Sequence, residues 1–84
     1  MNALQRLALA AAFGDVLREL RQQRGFTQEG LAEAGGFHRT YPSLLERGLR
    51  TPTLLAIFRL ADSLGVSAPS LMQMTSERLN RHQP

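Results

Sequence analysis

The chain has 84 residues, 43% of them hydrophobic, which is enough for one domain with one modest core. All ten basic residues are arginine and the formal net charge is +3, a balance that favours a polyanionic partner but also serves solubility alone. The absence of cysteine excludes disulfide bonds, thiolate metal ligands and a cysteine nucleophile. Net charge alone does not distinguish a polyanionic partner from solubility, so the positions of the arginines along the chain have to distinguish them.

The longest apolar run, residues 7–13, is much shorter than the roughly 18 to 20 residues needed to cross a bilayer. It continues into an amphipathic segment without a polar cleavage region, so we interpret residues 1–12 as a helical extension and not as a signal sequence. We expect a cytoplasmic protein with no membrane partner.

Apolar residues recur at helical spacing from Phe13 to Leu20, which predicts a first helix ending near Arg24 at Gly25. Residues 2–12 either belong to this helix or form a separate short one. Thr27 is the predicted N-cap of a short second helix. The pair Gly35-Gly36 is predicted to end that helix, because glycine adopts the positive φ of a sharp reversal.

A third helical segment is predicted from His38 to Arg47, closing at Gly48. Its inward residues are Pro42 and Leu45. Proline has no backbone N–H and is tolerated in the first turn of a helix. Pro42 therefore predicts a distorted or late first turn.

A fourth helix is predicted between its N-cap Thr53 and its stop Gly65. Ser67 and Pro69 open a short fifth helix, and the polar residues 75–84 predict a fraying tail. No segment has strand periodicity, so the fold class is all-α. The apolar residues of the fourth helix predict one inward face, formed by Leu54, Ile57, Phe58, Ala61 and Leu64.

Two short helices joined by a glycine turn form the layout in which one helix braces another in the major groove of DNA, although many other folds contain such pairs. Three marker runs make the layout specific: RxxRGxTQxxLA over residues 21–32, HRTYxSxLERG over residues 38–48, and a PTL helix start followed by LGV. Together these runs resemble the repressor/Cro-like (XRE) family of bacterial helix-turn-helix regulators over residues 13–72. The HRTY and ERG pieces also resemble, more weakly, the controller proteins of restriction-modification systems.

The resemblance implies a compact five-helix bundle over residues 13–74, with its helix-turn-helix from about Thr27 to Gly48 and its recognition helix from about Arg39 to Arg47. It also implies a sequence-specific transcription regulator, a repressor or autoregulator, on double-stranded DNA with paired half-sites. We expect a homodimer that uses the fifth helix and adjacent residues, since a core of this size gains stability from association.

Transferred by position, the base-contacting residues are Arg39, Thr40 and Leu44. The planar fork of Arg39 suits O6 and N7 of guanine, and the alternative is a phosphate contact or a solvated arginine. Leu44 replaces a usually polar residue, so either it contacts a thymine methyl group or Pro42 turns it into the core. The candidate phosphate contacts are Gln28, His38, Tyr41, Ser43, Arg47 and Arg50.

Three further assignments have an alternative. Tyr41 either lies along the DNA backbone or covers the second helix. His38 either meets a phosphate or responds to pH, and the alternative is that it caps its helix or faces solvent. The resemblance implies a partly buried ion pair between Arg21 and Glu46, whose alternative is two exposed, unrelated charges. Residues 38–50 contain three arginines and a single acid, Glu46, so positive charge is concentrated in the predicted docking segment.

An enzyme needs titratable groups that converge in a pocket, but His38 and His82 are far apart and no carboxylate pair or phosphate-binding loop is recognisable. We therefore expect no catalytic residue, no metal site and no cofactor. The competing interpretation is a protein-interaction module of antitoxin or adaptor type with the same fold, which Leu55 favours because its position is usually polar. A regulatory protein partner fits either interpretation.

Overall fold

The computed structural model describes residues 1–81. His82 and the two residues after it lie outside the described residues. Within the described range there are helices and no strand, so the predicted all-α class is confirmed. The five helices are α1 (Ala3–Gln23), α2 (Gln28–Gly35), α3 (Tyr41–Glu46), α4 (Leu54–Leu64) and α5 (Ala68–Arg81).

Helix α1 is continuous over 21 residues, so residues 3–12 belong to the first helix and do not form a separate one. Its start is closed by a capping box: the Gln5 N–H donates to Asn2 Oδ1 and the Asn2 N–H donates to Gln5 Oε1, both at 2.8 Å. The first two turns of α1 stay exposed, with Leu4 77% and Leu7 63% accessible. The core side of the helix begins at Ala10.

Helix α2 has the predicted bounds. Thr27 Oγ1 accepts the N–H of Gly30 at 2.9 Å, and Gly36 ends the helix with φ of 72°. Both ends of α2 are therefore set locally, by a side-chain hydrogen bond at its start and by the backbone conformation of a glycine at its end.

Helix α3 is shorter than predicted, because it begins at Tyr41 and not at His38 or Arg39. Pro42 lies in its first turn, where a helix needs no N–H from that residue. Residues 38–40 instead form a turn closed by the Tyr41 N–H, which donates to the His38 carbonyl at 3.0 Å. The late start expected from Pro42 is confirmed, whereas the boundary near Arg39 is wrong.

Helix α4 has the predicted cap and stop, since Thr53 Oγ1 accepts the Ala56 N–H at 3.0 Å and Gly65 has φ of 71°. Its predicted inward face is partly wrong. Leu54 and Phe58 are 72% and 58% exposed, and the buried residues are Ala56, Leu60, Ala61 and Leu64. Apolar residues occupy almost every position from 54 to 61, so spacing alone did not define which stripe packs against α2 and α5.

The predicted tail is wrong for residues 75–81, because α5 continues to Arg81. Thr75 is buried and its hydroxyl donates to the Leu71 carbonyl at 2.8 Å. One turn later, Arg78 donates to Glu19 of α1 at 2.6 Å and lies 3.6 Å from Asp15. The hydrogen bond to Glu19 raises the pKa of Arg78. These contacts anchor the polar end of α5 on α1.

The core lies where α1 packs against α3 and α5, and α4 closes it from the side of α2. No single helix among residues 1–81 is long and apolar enough to cross a membrane. Helices α4 and α5 reach the required length and composition only when they are counted together, and they meet at a bend of 103°. The buried cluster consists of Phe13, Val16, Leu17, Leu20, Leu31, Leu45, Leu60, Ala61, Leu64 and Leu71.

Candidate nucleic-acid interface

Helices α2 and α3, joined by a turn at Gly36, form the frame of the site, and α1 supports the end of α3. Gly14 of α1 is the contact point. A Cβ atom at this position would lie 2.8 Å from the Glu46 carbonyl oxygen and closer still to that of Leu45. Only glycine allows this approach of α1 to the α3 backbone. Sequence reasoning missed Gly14, although its signal was a glycine inside a helix, which costs about 1 kcal/mol relative to alanine.

Glu46, the last residue of α3, is the hub of the frame. Its side chain is fully buried, and it accepts from Arg21 Nε at 2.6 Å and from Arg21 Nη2 at 3.1 Å. The structure thus brings together the two residues of the expected ion pair. Arg21 Nη1 also donates to the Phe26 carbonyl at 2.9 Å, which holds the loop between α1 and α2.

Two further partners of Glu46 were missed by the sequence reasoning. Arg18 Nη2 donates to the Glu46 carbonyl at 3.1 Å, and Gln28 Nε2 donates to Glu46 Oε1 at 3.2 Å. Among residues 1–81, no buried side-chain nitrogen or oxygen lacks a hydrogen-bond partner. The charge of Glu46 is therefore compensated inside the protein, and the carboxylate joins α1, α2 and α3.

Gln28, a candidate phosphate contact, is half-buried at the start of α2. Its amide nitrogen carries two hydrogens, and one is donated to Glu46. The side chain is therefore held by the frame, while a second N–H remains for another acceptor.

The turn before α3 carries two of the candidate base contacts. His38 Nδ1 accepts the Thr40 N–H at 3.3 Å and lies 2.9 Å from Thr40 Oγ1, so the exposed ring closes the turn onto the N-cap residue, while α3 itself has no side-chain capping hydrogen bond. Arg39 occupies the second position of this turn and is exposed. Thr40 is exposed and is the N-cap of α3.

Within α3 the candidate residues differ in exposure. Tyr41 is half-buried and packs on Phe37, with 5.3 Å between ring centroids and 37° between ring planes. Pro42 is fully buried, whereas Leu44 is half-buried and outside the core cluster. Ser43 is half-buried. Leu44 is thus neither a core residue nor freely exposed.

Arg47 and Arg50 follow α3 and are both exposed. Because Glu46 is buried against Arg21, every exposed charge of residues 38–50 is positive. A glycine-linked helix pair, a brace from α1 and an exposed positive surface on and beside the second helix together define a helix-turn-helix domain.

Comparisons with known proteins agree with this class. Residues 17–71 match the model of a helix-turn-helix family. The uncharacterized HTH-type transcriptional regulator y4dJ of Sinorhizobium fredii is 42% identical over 64 residues, which are 76% of this chain and 83% of that protein. The chain belongs to the repressor/Cro-like (XRE) helix-turn-helix family of DNA-binding transcription regulators, whose members are generally not enzymes.

Solved structures show the same relationship. The restriction-modification controller protein C.AhdI from Aeromonas hydrophila superimposes with a TM-score of 0.71 and 40% identity, covering 74% of this chain and 94% of that protein. The clp gene regulator ClgR from Corynebacterium glutamicum superimposes with a TM-score of 0.81 and 29% identity, covering 87% of this chain and 78% of that one. The chain is therefore similar both to a restriction-modification controller protein and to a clp gene regulator.

Proposed function

We propose that this protein represses transcription, its own included, by binding a specific double-stranded DNA sequence as a homodimer. Its place of action is the cytoplasm, on the nucleoid. The observation that carries the proposal is the buried Glu46, because it leaves only positive charge exposed on α3 and its flanks. DNA phosphates attract such a surface. A regulatory protein partner fits this role, and no catalytic step is part of it.

The reading surface consists of the turn before α3 and the first turns of that helix. Residues at the N-terminal end of a recognition helix contact base edges in the major groove. Arg39 extends from the turn, and Thr40 and Leu44 lie four residues apart, on one side of α3. We assign Arg39 to guanine, and the methyl groups of Thr40 and Leu44 to thymine methyl groups.

The remaining residues position the domain on the backbone. Gln28 donates its second amide N–H, and Arg47 and Arg50 supply the charge. His38, Tyr41 and Ser43 complete the set of phosphate contacts.

The test is selection of bound sequences from a random duplex library. We expect enriched sequences with two half-sites about 34 Å apart on one face of the DNA, because a two-fold dimer presents two copies of α3. Binding is expected to weaken steeply with added salt, since phosphate contacts release counterions. Failure to enrich any sequence, or binding that does not depend on salt, contradicts the proposal.

We assign self-association to the exposed side of α4 and the adjoining Met72 of α5, which moves the centre of the expected fifth-helix interface to α4. Leu54 and Phe58 lie one turn apart there, and the half-buried Ile57 and Met72 line a cleft beside them. These residues carry no charge, so two copies can bury them together without stranding an ion.

Phe58→Ser is expected to weaken dimerisation by about 30-fold, because truncating a central aromatic contact costs on the order of 2 kcal/mol. Phe58 is 58% exposed, so the monomer is expected to fold. Sedimentation equilibrium measures the effect. The control is Leu4→Ser on α1, which removes an apolar side chain that is more accessible still (77% exposed) and lies on a different helix. Equal dissociation constants for the two variants contradict this interface.

A protein-interaction module is the second candidate. Leu55 is 60% exposed and lines a groove with Phe37, Tyr41 and Arg59, beside the turn that carries Arg39. An apolar residue there suits a docked regulatory protein. Salt-dependent duplex binding by the isolated chain separates the two candidates, because apolar docking releases no counterions.

A further inference from the structure

A groove separates the first turns of α1 from the loop that follows α3. Arg6 lines it from α1, Arg50 lines it from the loop, and Leu7, Ala10 and Leu49 lie between them. The two sides are held in contact at Gly48, since a Cβ on this glycine would lie 3.5 Å from the backbone of Ala11. The helical extension is therefore packed beside the end of the helix-turn-helix.

The two arginines of the groove have no carboxylate partner among the described residues, in contrast to Arg18, Arg21 and Arg78. Arg6 Nη1 donates to the Met1 carbonyl at 3.3 Å, and Arg50 Nη1 donates to the Leu49 carbonyl at 3.5 Å. Both are long hydrogen bonds of exposed side chains. No acidic residue lines the groove. Two like charges on one groove repel each other, and an anion between them removes that repulsion.

We infer that Arg6 and Arg50 bind the DNA backbone together, as a phosphate contact outside the helix-turn-helix. The inference rests on the proposed function. Arg50 lies two residues after Gly48, where the helix-turn-helix ends, so Arg47, Arg50 and Arg6 extend the positive surface from α3 to the start of α1. Basic side chains with apolar surface between them suit a sugar-phosphate strand, whose phosphates are anionic and whose deoxyribose faces are apolar.

The structure also explains why a helix is suited to this contact. The capping box at Asn2 closes the start of α1, and Gly48 packs against the same helix, so Arg6 is carried on ordered backbone before DNA binds. A flexible arm would lose conformational entropy on binding, and a preformed helix avoids most of that cost. The extension thus enlarges the surface that contacts DNA.

The experiment compares Arg6→Gln with Arg81→Gln on a duplex containing the selected sequence. Both variants remove one exposed arginine, and Arg81 lies at the far end of α5. For Arg6→Gln, the slope of log K against log salt is expected to become shallower by about 1.8, because the dimer loses one phosphate contact in each half-site and each contact contributes about 0.9 on B-DNA. Base preference is expected to stay unchanged, because a phosphate contact reads no sequence. Arg81→Gln is expected to keep the wild-type slope.

Two further measurements make the result specific. Ethylation of individual DNA phosphates is expected to reveal one position in each half-site that interferes with the wild type and not with Arg6→Gln. Arg6→Lys is expected to restore the slope, because it keeps the charge. A wild-type slope for Arg6→Gln, with all interfering positions retained, overturns the inference and leaves the proposed function standing. Absence of duplex binding by the wild type overturns the proposed function itself.

Discussion

Glu46→Ala is expected to lower the free energy of unfolding by about 3 to 5 kcal/mol, the usual cost of stranding one partner of a buried ion pair. Arg21 is only 13% exposed and donates twice to this carboxylate, so its guanidinium would lose its counterion without regaining full hydration. Gln28 would lose the acceptor of its amide N–H at the same time, so α3 would lose its Glu46 side-chain hydrogen bonds to both α1 and α2. Since domains of this size have total stabilities of about 5 to 15 kcal/mol, this is a large share.

Urea denaturation measures the effect as a lower midpoint at an unchanged slope. Glu33→Ala is the control, because it removes an exposed carboxylate from α2. Glu46→Gln separates charge from shape, since the amide keeps the volume and loses the ion pair. If Glu46→Ala and Glu33→Ala have midpoints within experimental error of each other, the hub role of Glu46 is wrong.

Arg39→Ala is expected to lower affinity for the selected sequence by about 1 to 3 kcal/mol and to relax preference at one base pair. Arg39 is exposed at the second position of the turn before α3 and therefore reaches outward from a fixed backbone. Arg39→Lys keeps the charge but not the planar fork. It is expected to keep most of the salt dependence and to lose the preference for that base pair.

Arg47→Ala is the matched control for the reading role of Arg39. It removes one exposed arginine at the other end of α3, and is expected to weaken binding to all sequences alike and to flatten the salt slope. Binding assays on the selected duplex and on single-base variants of it distinguish the two outcomes. An unchanged base preference in Arg39→Ala would show that the assigned recognition surface is wrong.

The ends of α2 and α4 were predictable because the chemistry that sets them is local. Thr27 and Thr53 each bond a backbone N–H three residues ahead, and Gly36 and Gly65 take the positive φ that ends a helix. The marker runs of the family added the frame of the helix-turn-helix. The start of α3 was less predictable, because Pro42 disfavours a start at His38 without fixing the residue at which the helix begins.

The sequence by itself determined the helical class, the caps and the glycine turns, since each depends on residues within about one helical turn of one another. Only the tertiary structure decided which stripe of α4 is buried, that Gly14 touches the end of α3, and that Arg18 and Gln28 share Glu46 with Arg21. It also placed Arg6 and Arg50 on the lining of one groove. These contacts join residues far apart in the chain. Which residues meet in these contacts depends on how whole helices pack, and no spacing pattern within a single helix records that packing.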